Sequence, residues 1–165
     1  MFDGDKYNLL QLHIHSPSEH MIAGAEHDAE VHFVHVREGT DGDLLVVGVF
    51  YDVSDYSKNF EIQKLWDVIG IEVSTTDDEF MFSAYNMMPP NRVYAHYSGS
   101  LTTPPCTEGV KWLVMTEPTH ISRAQLDEFR TSVALFADSK VSEFSNTNRP
   151  VQPLNDREVY LVTAS

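Results

Sequence analysis

A mainly β fold with a few short helices is predicted by three features of the chain. Its apolar residues fall in short runs, two of those runs alternate in residue type with the period of a two-faced strand, and turn-forming clusters of Gly, Pro, Ser, Asn and Asp separate them. Residues 8–15 (NLLQLHIH) and 29–36 (AEVHFVHV) carry the alternation, so each is expected to be a strand with two different faces. They are joined by SPSEHMIAGAEHD. Residues 44–51 (LLVVGVFY) form a continuous valine-rich run, the pattern of a strand buried on both faces. Further strands are expected at 92–97, 109–115 and 158–163. The spacing of Phe60, Leu65 and Ile69 predicts a helix over 58–69. A second helix is predicted over 123–136, because Ser122 and Gln125 fit a capping box while Ile121 and Leu126 stand where a hydrophobic staple forms.

With 165 residues and 42% hydrophobic composition, the chain fits one globular domain, residues 1–165, around a single sizeable core. Its 11 basic and 25 acidic residues give a formal charge of -14, which repels nucleic-acid phosphates and anionic lipid headgroups and sets both aside as partners. The acidic residues are spread along the chain, as on a solvated surface. No stretch approaches the ~20 apolar residues that cross a bilayer, and the opening MFDGDKYNLL lacks the basic start and apolar run of a signal peptide. The single cysteine, Cys106, excludes a disulfide within the chain.

The chemistry lies in the histidines, of which the chain has eight, five of them between residues 13 and 32. His13 and His15 are two apart on a strand, so their rings leave the same face roughly 6 to 7 Å apart, while Leu12 and Ile14 point the other way. On the next strand the same rule puts Glu30, His32 and Val34 on one face, with Val31, Phe33 and His35 opposite. If the two strands pair, His32 completes a trio. Three neutral imidazoles around a tetrahedral ion leave the fourth position open, the arrangement of a catalytic zinc site. An H-x-H pair alone is more often a surface or hydrogen-bonded pair than a metal site. Gln11 on the face of His13 and Glu30 on the face of His32 favour the metal, because ligand rings give their outer N–H to such an acceptor.

Four segments then resemble the successive signatures of α-class carbonic anhydrases, in the family's order: QLHIHSPSEH, AEVHFVH, YSGSLTTPPCTEGVKW and NRPVQPL. The SPSEH form is similar to microbial and algal members. The resemblance implies a central, twisted, mostly antiparallel sheet and zinc-dependent reversible hydration of carbon dioxide to bicarbonate. It implies a zinc ion on His13, His15 and His32, oriented by Gln11, Glu30 and Asn148. It makes Thr102 the residue that accepts a hydrogen bond from zinc-bound hydroxide and Glu19 the acceptor for Thr102. Thr103, Leu101, Val34, Val46, Val110 and Trp112 would line the substrate site.

The resemblance also implies sulfonamide or anion inhibitors at the zinc, and a homodimer is among the expected assemblies. The family's proton-shuttle histidine lies upstream of the first ligand pair, so the chain is expected to represent the C-terminal part of the domain, with an N-terminal part lacking. Cys106 matches a position where secreted microbial members keep half of a disulfide, which implies a secreted, periplasmic or extracellular full-length protein. His20 and His35 are expected to be hydrogen-bonded structural residues, and Tyr94 and Tyr97 to support the site network. Two alternatives stay open: a carbonic-anhydrase-related binding module, and an inactive fragment.

Overall fold

The computed structural model describes residues 1–68, 82–136 and 146–163. Its strands are β1 (Tyr7–His15), β2 (Ala29–Arg37), β3 (Leu44–Val53), β4 (Tyr94–Ser100), β5 (Glu108–Met115), β6 (Thr119–Ile121) and β7 (Tyr160–Val162). Two α-helices accompany them, α1 (Phe60–Val68) and α2 (Arg123–Phe136), with a short 3₁₀ turn at Ala84–Met87. The strands form one sheet in the order β1-β2-β3-β5-β4-β7, with β6 beside β3. Pairing is antiparallel except at β3–β5 and β3–β6, so the sheet is mostly antiparallel, as expected. The three-residue β6 has too short a signal to stand out in the sequence.

The period-two pattern of β2 and β3 sorts residues between two apolar layers. Val31, Phe33, Leu45, Val47, Val49 and Tyr51 point into the larger core, where Ile62, Trp66, Leu126 and Phe129 of the helices cover them. The opposite face carries Glu30, His32, Val34, Val46 and Phe50, all buried. Because β3 feeds both layers, every residue from Leu45 to Tyr51 is buried, which accounts for its continuous apolar run.

Both helix starts are capped. Ser122 Oγ accepts from Gln125 N at 3.2 Å and Gln125 Oε1 accepts from Ser122 N at 3.2 Å, the expected capping box. Gln125 also crosses to α1, donating from Nε2 to Asn59 O at 2.7 Å and accepting from Asn59 N at 3.0 Å. The expected face of α1 is corrected at Phe60, while Leu65 packs partly buried against the larger core. Phe60 is 75% exposed, and the buried pair is Ile62 and Trp66, one turn apart. Asn59 Oδ1 caps the N–H groups of Glu61 and Ile62, so Phe60 is the first helical residue, and its side chain faces outward. Ile69, assigned to the same face, lies outside the described residues.

Candidate metal centre

The antiparallel register of β1 and β2 sets His13 opposite His32 and His15 opposite Glu30. This brings the three expected ligand rings together, with one nitrogen of each within 4.8 Å of the others. The outer nitrogens fix which ones point inward. His13 Nδ1 bonds Gln11 Oε1 at 2.8 Å, His15 Nδ1 bonds the Thr147 carbonyl at 2.9 Å, and His32 Nε2 bonds Glu30 Oε1 at 2.9 Å. Each partner is an oxygen that accepts, so each outer nitrogen carries the proton. The inner atoms, His13 Nε2, His15 Nε2 and His32 Nδ1, are then three lone pairs aimed at one another. His13 Nε2 and His32 Nδ1 stand 3.3 Å apart, and His15 Nε2 is buried with no hydrogen-bond partner.

That donor set fits zinc. Zinc–nitrogen bonds of about 2.0 to 2.1 Å in a tetrahedron separate their nitrogens by about 3.3 Å. Electrostatics keeps His13 and His15 in the form a metal needs. Burial, then the neighbouring His32 and His15, pushes the His13 pKa down to about 4. Burial and His32 likewise lower His15. Neutral rings keep their lone pairs at neutral pH.

Glu30 organises the layer behind His32. Its Oε1 accepts from His32 Nε2 and, at 2.7 Å, from His20 Nδ1, while its Oε2 accepts from the backbone N–H of Glu19 and of His20, both at 2.9 Å. Burial raises the pKa of this fully enclosed carboxyl, but the facing His20 and the hydrogen bonds from both rings outweigh that and hold it well below the usual range. His20, Glu30 and His32 also offer clustered ligand atoms, but both rings already share Glu30 Oε1, which makes this a hydrogen-bonded buttress. His20 Nε2 continues the chain to Tyr97 Oη at 2.6 Å.

Beside the rings lies the apolar layer. Val34, Val46, Val110 and Trp112 are buried in one cluster with Phe50 and Val114, and Leu101 packs against it. Trp112 meets His32 edge-on, ring centroids 4.8 Å apart. The five apolar residues expected at the substrate site are therefore contiguous, with one of them against the candidate metal centre.

A family model described as eukaryotic-type carbonic anhydrase matches residues 1–163. The chain belongs to the eukaryotic-type carbonic anhydrase family. A carbonic anhydrase of Neisseria gonorrhoeae is 38% identical over 157 residues, covering 95% of this chain and 57% of that protein. One from Nostoc sp. is 37% identical over 156 residues, 93% of this chain and 53% of the relative. Among solved structures, the α-carbonic anhydrase of Thermovibrio ammonificans in complex with sulfanilamide aligns with TM-score 0.78 at 41% identity, over 95% of this chain and 64% of that one. A carbonic anhydrase of Chlamydomonas reinhardtii in complex with acetazolamide gives 0.79 at 31% identity, over 94% and 65%. The chain spans little more than half the length of these curated relatives.

Three expectations carried from the carbonic anhydrase motifs take a different form. Asn148 does not orient a ligand ring. Its Nδ2 donates to the Ser18 carbonyl at 3.4 Å, and the preceding residue, Thr147, supplies the acceptor for His15. Thr102 and Glu19 line the same cavity of about 800 Å3, but the expected hydrogen bond between them is not made. Glu19 Oε1 is taken by Arg149 N at 2.6 Å, and its Oε2 is turned to His15 Nε2, 3.4 Å away, with no hydrogen-bond partner. Thr103 is exposed on the turn before Cys106, its carbonyl accepting from Cys106 N.

Sequence reasoning missed the strap formed by residues 147–149. Thr147 N donates to Ser16 O at 2.9 Å, Thr147 Oγ1 accepts from Ser16 N at 3.0 Å, and Arg149 N holds Glu19. Only the first of these contacts is purely main-chain; the second uses the Thr147 hydroxyl and the third the Arg149 N–H, so the residue types of 147–149 do little to announce the strap.

Proposed function

We propose that the chain carries the active centre of a zinc-dependent carbonic anhydrase, catalysing the reversible hydration of carbon dioxide to bicarbonate and a proton. One observation carries this reading: three inward lone pairs, their outer N–H groups pinned by acceptors, lie against an uncharged, buried cluster. Zinc on three neutral ligands lowers the pKa of a water it binds from ~16 to ~7 and so supplies hydroxide near neutral pH.

The chain's own residues hold and orient. His13, His15 and His32 present neutral nitrogens, so the charge of the ion is left undiminished. Gln11, Glu30 and the Thr147 carbonyl fix each ring's tautomer and direction. Val34, Val46, Leu101, Val110 and Trp112 offer an uncharged gas an apolar seat that does not compete for it with hydrogen bonds. Glu19, with one oxygen anchored by Arg149 N and the other facing the rings, is the carboxylate that would accept a hydrogen bond from a hydroxyl at the site. Thr102, on the wall of the same cavity, is the hydroxyl we assign to that role. Primary sulfonamides, bound by two of the structural relatives, are the expected inhibitor class.

Stopped-flow hydration of carbon dioxide tests the reading. The zinc-loaded chain should accelerate hydration, with a rate that rises with pH through ~7, and His15→Ala should remove the acceleration. A zinc-loaded chain no faster than buffer, or a His15→Ala variant as fast as wild type, would overturn it.

A further inference from the structure

Position 48 on β3 lies directly opposite His32 on β2 and carries no side chain. Nothing about the backbone there calls for glycine. The residue sits in an extended strand whose neighbours Val47 and Val49 are ordinary buried valines, and its φ is not in the left-handed range. The requirement is one of space. A Cβ at position 48 would stand 2.7 Å from Glu30 Oε1, with Trp112 Cζ3 and Val114 Cγ2 each at 3.7 Å. A contact of 2.7 Å between carbon and oxygen is well inside van der Waals separation, so one of the two must move.

A carboxylate at the end of a flexible side chain would normally yield cheaply. Glu30 is an exception, because both oxygens are spent: Oε1 on His32 Nε2 and His20 Nδ1, Oε2 on two backbone N–H groups. Trp112 and Val114 close the far side of position 48, and Glu30 is fully buried. Any displacement of Oε1 is taken directly from its hydrogen bonds to the two rings.

We propose that Gly48 is a positioning residue for the metal centre: the missing Cβ is the space that lets Glu30 reach His32 and hold its ring with Nδ1 facing His13 and His15. The inference rests on the zinc reading above and deepens it, since it assigns the orientation of one ligand to a residue that touches neither metal nor substrate. Residues that orient ligand histidines typically change metal affinity by about 10- to 100-fold when altered. Gly48→Ala should act on the metal in that range although it removes no hydrogen-bonding group.

The test is a double-mutant cycle on the full chain, read by the rate of zinc release to a chelator. Gly48→Ala should speed release about tenfold or more in the Glu30 background. In the Glu30→Ala background, where no carboxylate is left to displace, the same change should alter release by less than about twofold. Equal effects in the two backgrounds would mean that Gly48 only packs, and would overturn the proposal. The geometry is also read without zinc, in the imidazole N–H proton resonances of His20 and His32, which Gly48→Ala should shift. Unchanged resonances would overturn the positioning role whatever the wild type does with zinc, whereas a wild type that binds no zinc while the resonances shift would fault the zinc reading alone. Should Gly48→Ala fail to fold, recovery of folding in Gly48→Ala/Glu30→Ala supports the clash, and failure of both refutes it.

Discussion

His15 Nε2 and Glu19 Oε2 face each other across 3.4 Å in the buried floor of the site, and neither has a hydrogen-bond partner. With the His15 proton held at Nδ1 by the Thr147 carbonyl, both facing atoms are acceptors, a pairing that costs free energy in a dry site.

Glu19→Gln should therefore separate folding from metal binding. The amide offers an N–H to the ring nitrogen, so the metal-free variant should unfold at a temperature equal to or above that of the metal-free wild type. Its gain on adding zinc should shrink, because zinc at 100 times its Kd adds about 2.7 kcal/mol and a weaker Kd reduces that amount. Thermal unfolding with and without zinc measures both. A variant destabilised equally in the two conditions would argue against this pairing.

The depressed histidines set a pH dependence for the metal-free chain. Between the ordinary histidine value of 6.5 and the native value of about 4, His13 binds more proton when unfolded than when folded, and His15 shifts in the same direction. Stability then rises with pH across that window and falls as the solution is acidified. Glu30, held below its ordinary range while folded, adds to the loss at the acid end, since its contribution is present above the unfolded value and vanishes as pH drops through the folded one. Urea midpoints should fall steadily from about pH 7 to about pH 5. A midpoint that holds or increases over that range would contradict the neutral-ring assignment.

Trp112 joins the apolar cluster to the histidines. It is 1% exposed, donates from Nε1 to Ser100 O at 3.0 Å and packs edge-on to His32 and His20. Trp112→Ala should cost about 3 to 5 kcal/mol in denaturant unfolding, and zinc binding should weaken with it. A loss below about 1 kcal/mol would mean that the cluster collapses around the gap.

The strands that carry the ligands were legible because one property, alternation, is written into them: His13 and His15, Glu30 and His32, Val31 and Phe33 all fall on the faces that a period of two assigns. The capping box at Ser122 and Gln125 was legible for the same reason, since both partners are within one turn. Contacts made through the main chain or through absent atoms were not. The Thr147 carbonyl reaches His15 across 132 positions, and any residue type has a carbonyl. Gly48 contributes an empty volume that only the packed sheet defines. Phe60 read as apolar and therefore buried, yet the Asn59 cap fixes the start of α1 and its face, and the buried pair became Ile62 and Trp66.

Zinc stoichiometry by elemental analysis, on wild type and on His13→Ala, His15→Ala and His32→Ala, probes the centre most directly. The converging lone pairs predict one zinc per wild-type chain, retained through dialysis against metal-free buffer, and its loss in each of the three variants. A wild type that retains no zinc, or a variant that retains it as well as wild type does, would contradict the assignment of these histidines as the metal centre.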